Sequence, residues 1–312
     1  MNIIIFGAAG FIGTNLISKL SEDPNNRIIA VDHNKEFFSD ILFLNRNNVE
    51  IVQSAFTLEI NFDELLKEQD IVYHLVSTTI PMTSNKNVSQ EIIPDVAFSI
   101  RLLDSCVKCN VKKVVFISSG GAVYGMESNC PISEDSKTEP ITSYGLQKIT
   151  IEKLIYLYNY MYKLDYKIVR LANPYGPFQR PNGMLGAVTT FTYKALKNEE
   201  IIVYGDGSVI RDFIYIDDAI EAIVNITFNN SDYNLFNVGS GYGTSISEVL
   251  LIIQNVLERS LKISYLPSRS VDIPVNYLDI SRYNSVFGKL GTVSLTDGVI
   301  KTIEFLKKRY KI

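Results

Sequence analysis

Short apolar runs alternate with longer amphipathic segments along the first half of the chain. The apolar runs, four to six residues each, have the length and composition of strands buried on both faces; they cover residues 2–6, 27–31, 49–52, 71–75, 113–118 and 167–171. Apolar residues recur at helical spacing over residues 11–20, 62–67, 91–109 and 143–163. Strands that alternate with helices predict βαβ units, and therefore a parallel sheet covered by helices on both faces.

The second half of the chain is less regular. Its pattern predicts helices over residues 186–197, 217–228, 247–259 and 294–308, with strands over 235–238 and 262–265. We predict an α/β fold: a Rossmann-type doubly wound parallel sheet with a smaller, interleaved C-terminal α/β domain. The expected boundary separates residues 1–172 from residues 173–312, with the option that the chain crosses back to the first domain.

Composition excludes several classes of protein. The 312 residues carry a formal net charge of −4, which argues against nonspecific nucleic-acid binding because such binding needs clustered Lys and Arg. The N-terminal apolar run is too short for a signal peptide or a membrane span, and no later run reaches the length of a spanning helix. With three cysteines and two histidines, we expect no metal site and a reduced, cytoplasmic protein.

A glycine-rich turn follows the first predicted strand. The segment GAAGFIG places Gly7, Gly10 and Gly13 between that strand and the first helix, where glycine lets the backbone approach a pyrophosphate. Asp32 stands nineteen residues beyond Gly13, at the end of the second strand. A carboxylate at this position accepts hydrogen bonds from a ribose 2′-hydroxyl and repels a 2′-phosphate. The sequence therefore predicts NAD, in preference to NADP, bound by residues 1–172.

Tyr144 and Lys148 form a candidate catalytic pair. Their spacing of four places a phenol and an ammonium on one face of a helix, twenty-five residues after Ser119. Free tyrosine has a pKa of about 10, and a neighbouring cation favours the phenolate. We therefore expect Lys148, together with a bound nicotinamide cation, to lower the pKa of Tyr144.

These motifs together resemble the extended short-chain dehydrogenase/reductases, in particular the NAD-dependent nucleotide-sugar epimerase/dehydratase family, in its UDP-glucose 4-epimerase-like members. The similar segments run from end to end of the chain: GAAGFIG, YHLVSTTIP, SSGGAVYG, SYGLQK, RLANPYGP, GDGSVIRDFIYIDD, FNVGSG and RSVDIP. By this resemblance, NAD would be bound by Gly7, Gly10, Phe11, Ile12, Gly13, Asp32, Tyr144 and Lys148.

The resemblance also implies catalytic roles. Tyr144 would be the acid/base, Lys148 would hold the nicotinamide ribose, and a Ser or Thr would hydrogen-bond the reacting sugar oxygen. Many family members carry that hydroxyl at the position of Gly120, so this chain departs from the pattern. Ser119 is the favoured substitute, and Ser118 is the second choice.

Five residues of the second half match the family's substrate-binding positions. By the resemblance, Asn173, Arg211 and Arg269 would contact the diphosphate, Asp272 would orient a loop or a ribose hydroxyl, and Asn276 would gate the 2-substituent of the sugar. The partner implied is a nucleotide-diphosphate sugar. Asn276 is smaller than the tyrosine of some glucose-specific members, which favours tolerance of an N-acetyl group.

The absence of acidic residues in SSGGAVYG narrows the reaction. Dehydratases of this family carry an Asp–Glu pair where this chain has Gly121 and Ala122. We therefore predict epimerisation at C4 of a UDP-hexose or UDP-N-acetylhexosamine through a 4-keto intermediate. The alternatives are reduction of a nucleotide-linked 4-keto-6-deoxysugar and a sensor without turnover. The family further implies a homodimer through the helices near 91–109 and 143–163, and, by analogy, polysaccharide biosynthesis.

Overall fold

The computed structural model describes residues 1–43, 45–57, 59–79, 84–126, 129–181, 186–268 and 272–312. The strands are β1 Asn2–Phe6, β2 Arg27–Asp32, β3 Val49–Gln53, β4 Ile71–His74, β5 Lys113–Ser119, β6 Asp165–Leu171, β7 Asn173–Tyr175, β8 Ile201–Tyr204, β9 Ile210–Arg211, β10 Phe213–Tyr215, β11 Leu235–Val238, β12 Thr244–Ser245, β13 Ile263–Leu266 and β14 Val275–Asn276. The helices are α1 Phe11–Leu20, α2 Phe38–Phe43, α3 Phe62–Leu65, α4 Val88–Lys108, α5 Ser143–Tyr162, α6 Ala187–Leu196, α7 Ile216–Phe228, α8 Ile246–Leu257, α9 Ser281–Phe287 and α10 Leu295–Tyr310, and a 3₁₀ turn covers Lys35–Phe37.

The predicted doubly wound sheet is confirmed. Seven strands lie in the order β11-β6-β5-β4-β1-β2-β3, and the pairs β1–β2, β1–β4, β2–β3 and β4–β5 are parallel. The chain therefore winds outward in both directions from β1, and the strand order reverses between β1 and β4. In open α/β sheets, ligands bind at the carboxyl ends of the strands at such a reversal. Both the glycine turn after β1 and the loop after β4 start there.

The central strands are buried because helices cover both faces of the sheet. Residues 3–6 of β1 and residues 114–118 of β5 are almost inaccessible to solvent. Phe62 and Phe98 pack edge-to-face with ring centroids 5.2 Å apart, and Phe6 lies 5.7 Å from Phe62. This aromatic cluster fixes α3 and α4 against β1, and so holds the carboxyl end of β1 in place.

The chain divides into two compact units. The first contains residues Met1–Ser119, Thr142–Arg170 and Ile223–Phe236, and the second contains Gly120–Ile141, Leu171–Ala222 and Asn237–Ile312. The chain thus passes from one unit to the other more than once. The assignment of NAD binding to residues 1–172 and of sugar-nucleotide binding to residues 173–312 stays a prediction.

The second unit is built from short sheets and helices. Strands β7 and β10 pair, β8 pairs with β13, and β9 lies between β12 and β14. The buried Asp212 carboxylate links three of its segments, because it accepts hydrogen bonds from the backbone N–H groups of Ser240 (2.7 Å) and Leu278 (3.2 Å). In the described part of the chain, no helix has the length and apolar character needed to cross a membrane.

Candidate active site

The glycine turn between β1 and α1 is closely packed backbone. Gly7 has a φ of +84°, and a Cβ at Gly13 would lie 2.5 Å from the Ala8 carbonyl oxygen and 2.6 Å from that of Gly7. Only glycine fits at position 13 without moving the turn. The first N–H groups of α1, which include those of Phe11 and Ile12, lack intrahelical acceptors, and the start of a helix favours an anion.

Asp32 ends β2 beside this turn. Its buried carboxylate accepts a hydrogen bond from the Ala9 N–H at 2.9 Å, and from the N–H groups of His33 at 2.8 Å and Asn34 at 3.3 Å. These donors fix the carboxylate at the carboxyl end of β2. A closely packed glycine turn and an adjacent fixed carboxylate are the two features that a dinucleotide needs, so this part of the chain fits NAD.

Helix α5 presents Tyr144 and Lys148 on one side of its first two turns. Thr142 caps the helix, since its hydroxyl accepts the Gly145 N–H at 3.1 Å. The Lys148 ammonium donates to the Ile117 carbonyl oxygen of β5 at 3.1 Å, and it lies 5.6 Å from the centre of the Tyr144 ring. The structure therefore brings the predicted pair together at the carboxyl end of β5.

The acid–base properties of the pair are dominated by burial. Burial raises the pKa of Tyr144 to about 12, although a hydrogen bond with Ser119 lowers it. Burial also lowers the pKa of Lys148 to about 8, opposed by the charges of Asp95 and Glu152. The pKa of Tyr144 therefore lies above its ordinary value, because desolvation of the phenolate outweighs the hydrogen bond with Ser119. The lowering of this pKa by Lys148 together with a bound nicotinamide cation stays a prediction.

Ser118 and Ser119 point in different directions at the end of β5. Successive side chains of a strand alternate between its faces. Ser119 hydrogen-bonds Tyr144, whereas the Ser118 hydroxyl donates to a carboxylate oxygen of Glu152 at 2.5 Å. Of the two candidate hydroxyls, Ser119 is the one that the structure places against Tyr144.

Asp95 of α4 lies close enough to Tyr144 and Lys148 to affect their pKa values. Its contacts with Thr78 were not predicted from the sequence. Its carboxylate accepts two hydrogen bonds from Thr78, one from the backbone N–H and one from the hydroxyl, both at 2.8 Å. Its buried negative charge raises the pKa values of both Tyr144 and Lys148. Asp95 thus fixes the loop that follows β4 and disfavours the phenolate.

In the second unit, the glycine loop that follows Ser119 is fixed by backbone and side-chain contacts. The Gly120 N–H donates to the Leu171 carbonyl oxygen at 2.8 Å, and the Tyr124 hydroxyl donates to Asn237 at 2.6 Å. The Asn276 amide donates to the Gly120 carbonyl oxygen at 3.4 Å, and its own buried oxygen has no partner among the described residues. An acceptor of this kind is suited to a ligand donor.

Most of the predicted substrate residues lie together in the second unit. Arg211 of β9 and Asn276 of β14 are register partners on neighbouring parallel strands. The Arg211 guanidinium donates to the carbonyl oxygens of Ile210 and Ile273, and burial lowers its pKa while the charge of Asp272 raises it. Asn173 contacts the Asp212 carbonyl oxygen through both its N–H and its side-chain amide, each at 3.0 Å.

Arg269 lies outside the described residues. Among the residues that are described, no group of three His, Cys, Asp or Glu side chains is arranged to hold a metal ion. The buried contacts of Tyr124 with Asn237 and of Ser118 with Glu152 were not predicted from the sequence. These contacts join positions 113 and 34 residues apart in the chain, and no local pattern marks them.

The fold and site define an NAD-dependent nucleotide-sugar enzyme class. Residues 3–239 match the model of the NAD dependent epimerase/dehydratase family, and the chain belongs to this family. It is 31% identical over 310 residues to a putative UDP-glucose 4-epimerase of Methanocaldococcus jannaschii, covering 98% of both chains. It is also 28% identical over 317 residues to a dTDP-4-dehydro-6-deoxyglucose reductase of Escherichia coli, covering 98% of this chain and 97% of the relative.

Solved structures give the same result. The crystal structure of a UDP-glucose 4-epimerase of Thermotoga maritima with UDP-glucose has a TM-score of 0.92 and 30% identity, over 99% of this chain and 100% of the other. A UDP-N-acetylglucosamine 4-epimerase of Methanobrevibacter ruminantium, in complex with UDP-N-acetylmuramic acid, has a TM-score of 0.90 and 29% identity, over 99% and 98%. The predicted family is therefore confirmed, and with it NAD as the cofactor.

Proposed function

We propose that this protein is an NAD-dependent UDP-sugar 4-epimerase that acts on a UDP-hexose or a UDP-N-acetylhexosamine. The observation that carries the proposal is the joint placement of Ser119, Tyr144 and Lys148 at the end of β5, where the six residues that follow Ser119, Gly120 to Gly125, include no acidic residue. This set suits the transfer of one hydride and one proton at a single carbon. The similarity to UDP-sugar 4-epimerases supports the nucleotide and the position on the sugar.

In the proposed mechanism, Tyr144 removes the proton of the sugar 4-hydroxyl, and Ser119 holds that oxygen by a hydrogen bond. The glycine turn and Asp32 would hold NAD, which would supply the acceptor and the donor of the C4 hydride. Lys148 stays protonated and stabilises the phenolate by its charge. After the 4-keto sugar has rotated to present its other face to the hydride, Tyr144 returns its proton to the oxygen. The hydride and the proton that are removed from the sugar are both returned to it, so no second reductant is consumed.

In the same proposal, the second unit binds the nucleotide diphosphate. Arg211 and Arg269 supply guanidinium groups for the phosphate oxygens, and Asn173 and Asp272 orient the ligand. Asn276, whose buried amide oxygen needs a donor, contacts the sugar near its 2-substituent. The first unit holds NAD through the glycine turn and Asp32, with Lys148 on the nicotinamide ribose.

The purified protein gives the first test. We expect close to one NAD per chain in the supernatant of the denatured protein, and conversion of UDP-glucose or UDP-N-acetylglucosamine without added cofactor. The Tyr144→Phe variant should retain NAD and lose conversion, whereas Tyr162→Phe, at an exposed position of the same helix, should convert like the wild type. An empty protein that oxidises added NADH with a 4-keto sugar would contradict the proposal.

Reduction of a nucleotide-linked 4-keto-6-deoxysugar is the second candidate function. The same Ser119, Tyr144 and Lys148 can serve that reaction, and the similarity to the reductase of Escherichia coli favours it. The reaction would require cofactor exchange in every cycle. Stoichiometric NAD that survives purification would therefore favour the epimerase.

We further propose a homodimer formed by α4 and α5. These helices expose large apolar side chains, with Ile93 61%, Tyr156 58% and Tyr160 68% accessible, which suits a four-helix contact. Light scattering tests this directly, and a monomer at micromolar concentration would refute it. The three free cysteines support a cytoplasmic location, and a role in polysaccharide biosynthesis is proposed by analogy with the family.

A further inference from the structure

Behind the catalytic residues lies a buried ion pair that the mechanism above does not use. The Arg170 guanidinium of β6 donates to both carboxylate oxygens of Glu152 on α5, from Nε at 3.1 Å and from Nη2 at 2.7 Å. Ser118 of β5 donates to the same carboxylate at 2.5 Å. All three residues are at most 4% exposed. Burying two charges is costly, and in this geometry the Glu152 oxygens are used by three donors.

The position of Glu152 connects this cluster to catalysis. Glu152 lies one turn after Lys148 and two turns after Tyr144 on α5, so the three residues form one stripe of the helix. Its partner Ser118 is adjacent to Ser119. One carboxylate therefore ties α5 to the ends of both β5 and β6, through the residue of β5 that is adjacent to Ser119.

We propose that the Glu152–Arg170 pair, with Ser118, is a positioning device for the catalytic residues. The pair sets the position of α5 along its own axis and its rotation about that axis, relative to β5. It thereby fixes the Tyr144 hydroxyl against Ser119. It also places a carboxylate one turn from the Lys148 ammonium. The proposal rests on the proposed function for its kinetic consequences, but its structural part is independent of the substrate.

The electrostatic part follows from the groups that face Lys148. On α5 these are Tyr144 and Glu152, on α4 Asp95, and on β4 the buried His74, whose pKa is lowered to about 3 by burial and by the Lys148 charge, so that it stays neutral. The charges of Asp95 and Glu152 both raise the pKa of Lys148 against the effect of burial. Loss of the Glu152 charge therefore favours neutral Lys148 at lower pH.

The first measurement needs no substrate. Lysine labelled with ¹³C at Cε is incorporated into the full-length protein, and the Lys148 resonance is assigned by its absence in Lys148→Arg. In Glu152→Gln the titration midpoint of Lys148 should fall by about one pH unit. Tyr158→Phe is the matched control, because it removes a partly buried hydrogen bond from the same helix to Asp104. It should leave the midpoint unchanged.

The kinetic measurement uses a double-mutant cycle. We expect turnover to fall about 10-fold in Ser118→Ala and more in Glu152→Gln, with KM changed less than twofold in both. The double variant should equal Glu152→Gln, because Ser118 acts through Glu152. Tyr158→Phe should keep wild-type turnover at a comparable loss of thermal stability.

Three results would overturn the proposal. The first is an unchanged Lys148 midpoint and turnover in folded Glu152→Gln. The second is independent, multiplicative effects of the two substitutions. The third applies if Glu152→Gln does not fold: Ser118→Ala then decides alone, and turnover within twofold of the wild type contradicts the proposal. If the wild type lacks epimerase activity, the Lys148 titration still tests the positioning role of Glu152. A wrong assignment of function can therefore be distinguished from a wrong assignment of this positioning role.

Discussion

Replacement of Gly13 by alanine is the sharpest test of the proposed role of the glycine turn in NAD binding. The added Cβ would lie 2.5 Å and 2.6 Å from two carbonyl oxygens and 2.8 Å from the Ala8 carbonyl carbon. All three atoms are backbone, so the turn itself must shift. Overpacking of this kind costs about 3 kcal/mol, and the better helix propensity of alanine in α1 offsets about 1 kcal/mol. The net loss of about 2 kcal/mol corresponds to a fall in Tm of about 4–8 °C.

The consequence for NAD should exceed the consequence for stability. In the proposed NAD site, a displaced turn would remove the N–H groups at the start of α1 from the pyrophosphate, so we expect Gly13→Ala to be purified with little or no NAD. The assay is NAD content per chain together with differential scanning calorimetry. Gly291→Ala is the control, since a Cβ there meets no atom within 4 Å. Full NAD content and an unchanged Tm in Gly13→Ala would refute the reasoning.

The remaining predictions concern single side chains. Tyr144→Phe should lower turnover at least about 10³-fold with Tm within about 2 °C of the wild type, and residual turnover near wild type would contradict its role as acid/base. Turnover should fall as pH rises through about 8, because Lys148 then loses the charge that favours the Tyr144 phenolate; a profile that is flat to pH 10 would contradict this. Asp32→Ser should raise the affinity for NADP⁺ relative to NAD⁺ by about 10-fold, measured by fluorescence titration of the emptied protein. Asn276→Ala should change the ratio of kcat/KM for UDP-glucose and UDP-N-acetylglucosamine by about 10-fold, and an unchanged ratio would remove Asn276 from the sugar site.

Much of the fold was predictable because its large elements have strong periodicity. Strand β1 and helix α1 have the predicted bounds, Asn2–Phe6 and Phe11–Leu20, since a buried apolar run and a glycine turn mark both. Helix α4 begins at Val88, three residues before the predicted start, because Asn87 caps it by accepting the Gln90 N–H. The two-residue strands β9, β12 and β14 were missed, since two residues carry no periodicity.

The candidate site was predictable in its members but not in its electrostatics. Spacing placed Tyr144 and Lys148 on one helix face, and the family resemblance gave Ser119 as the favoured hydroxyl with Ser118 as the second choice. Which of the two serines meets Tyr144 depends on the register of β5 against α5, a tertiary contact with no local signal. The pKa of Tyr144 likewise depends on burial, which a spacing of four residues cannot show.

The central claim is that one bound NAD takes a hydride from C4 of a UDP-sugar and returns it to the same carbon. The most direct measurement follows UDP-[4-²H]glucose with the purified protein, without added cofactor, by ¹H and ²H NMR. We predict UDP-galactose that retains its deuterium at C4, with none released into water. No epimer from this substrate or from the matching UDP-N-acetyl-[4-²H]glucosamine, or an epimer whose deuterium at C4 has been lost to solvent, would contradict the claim.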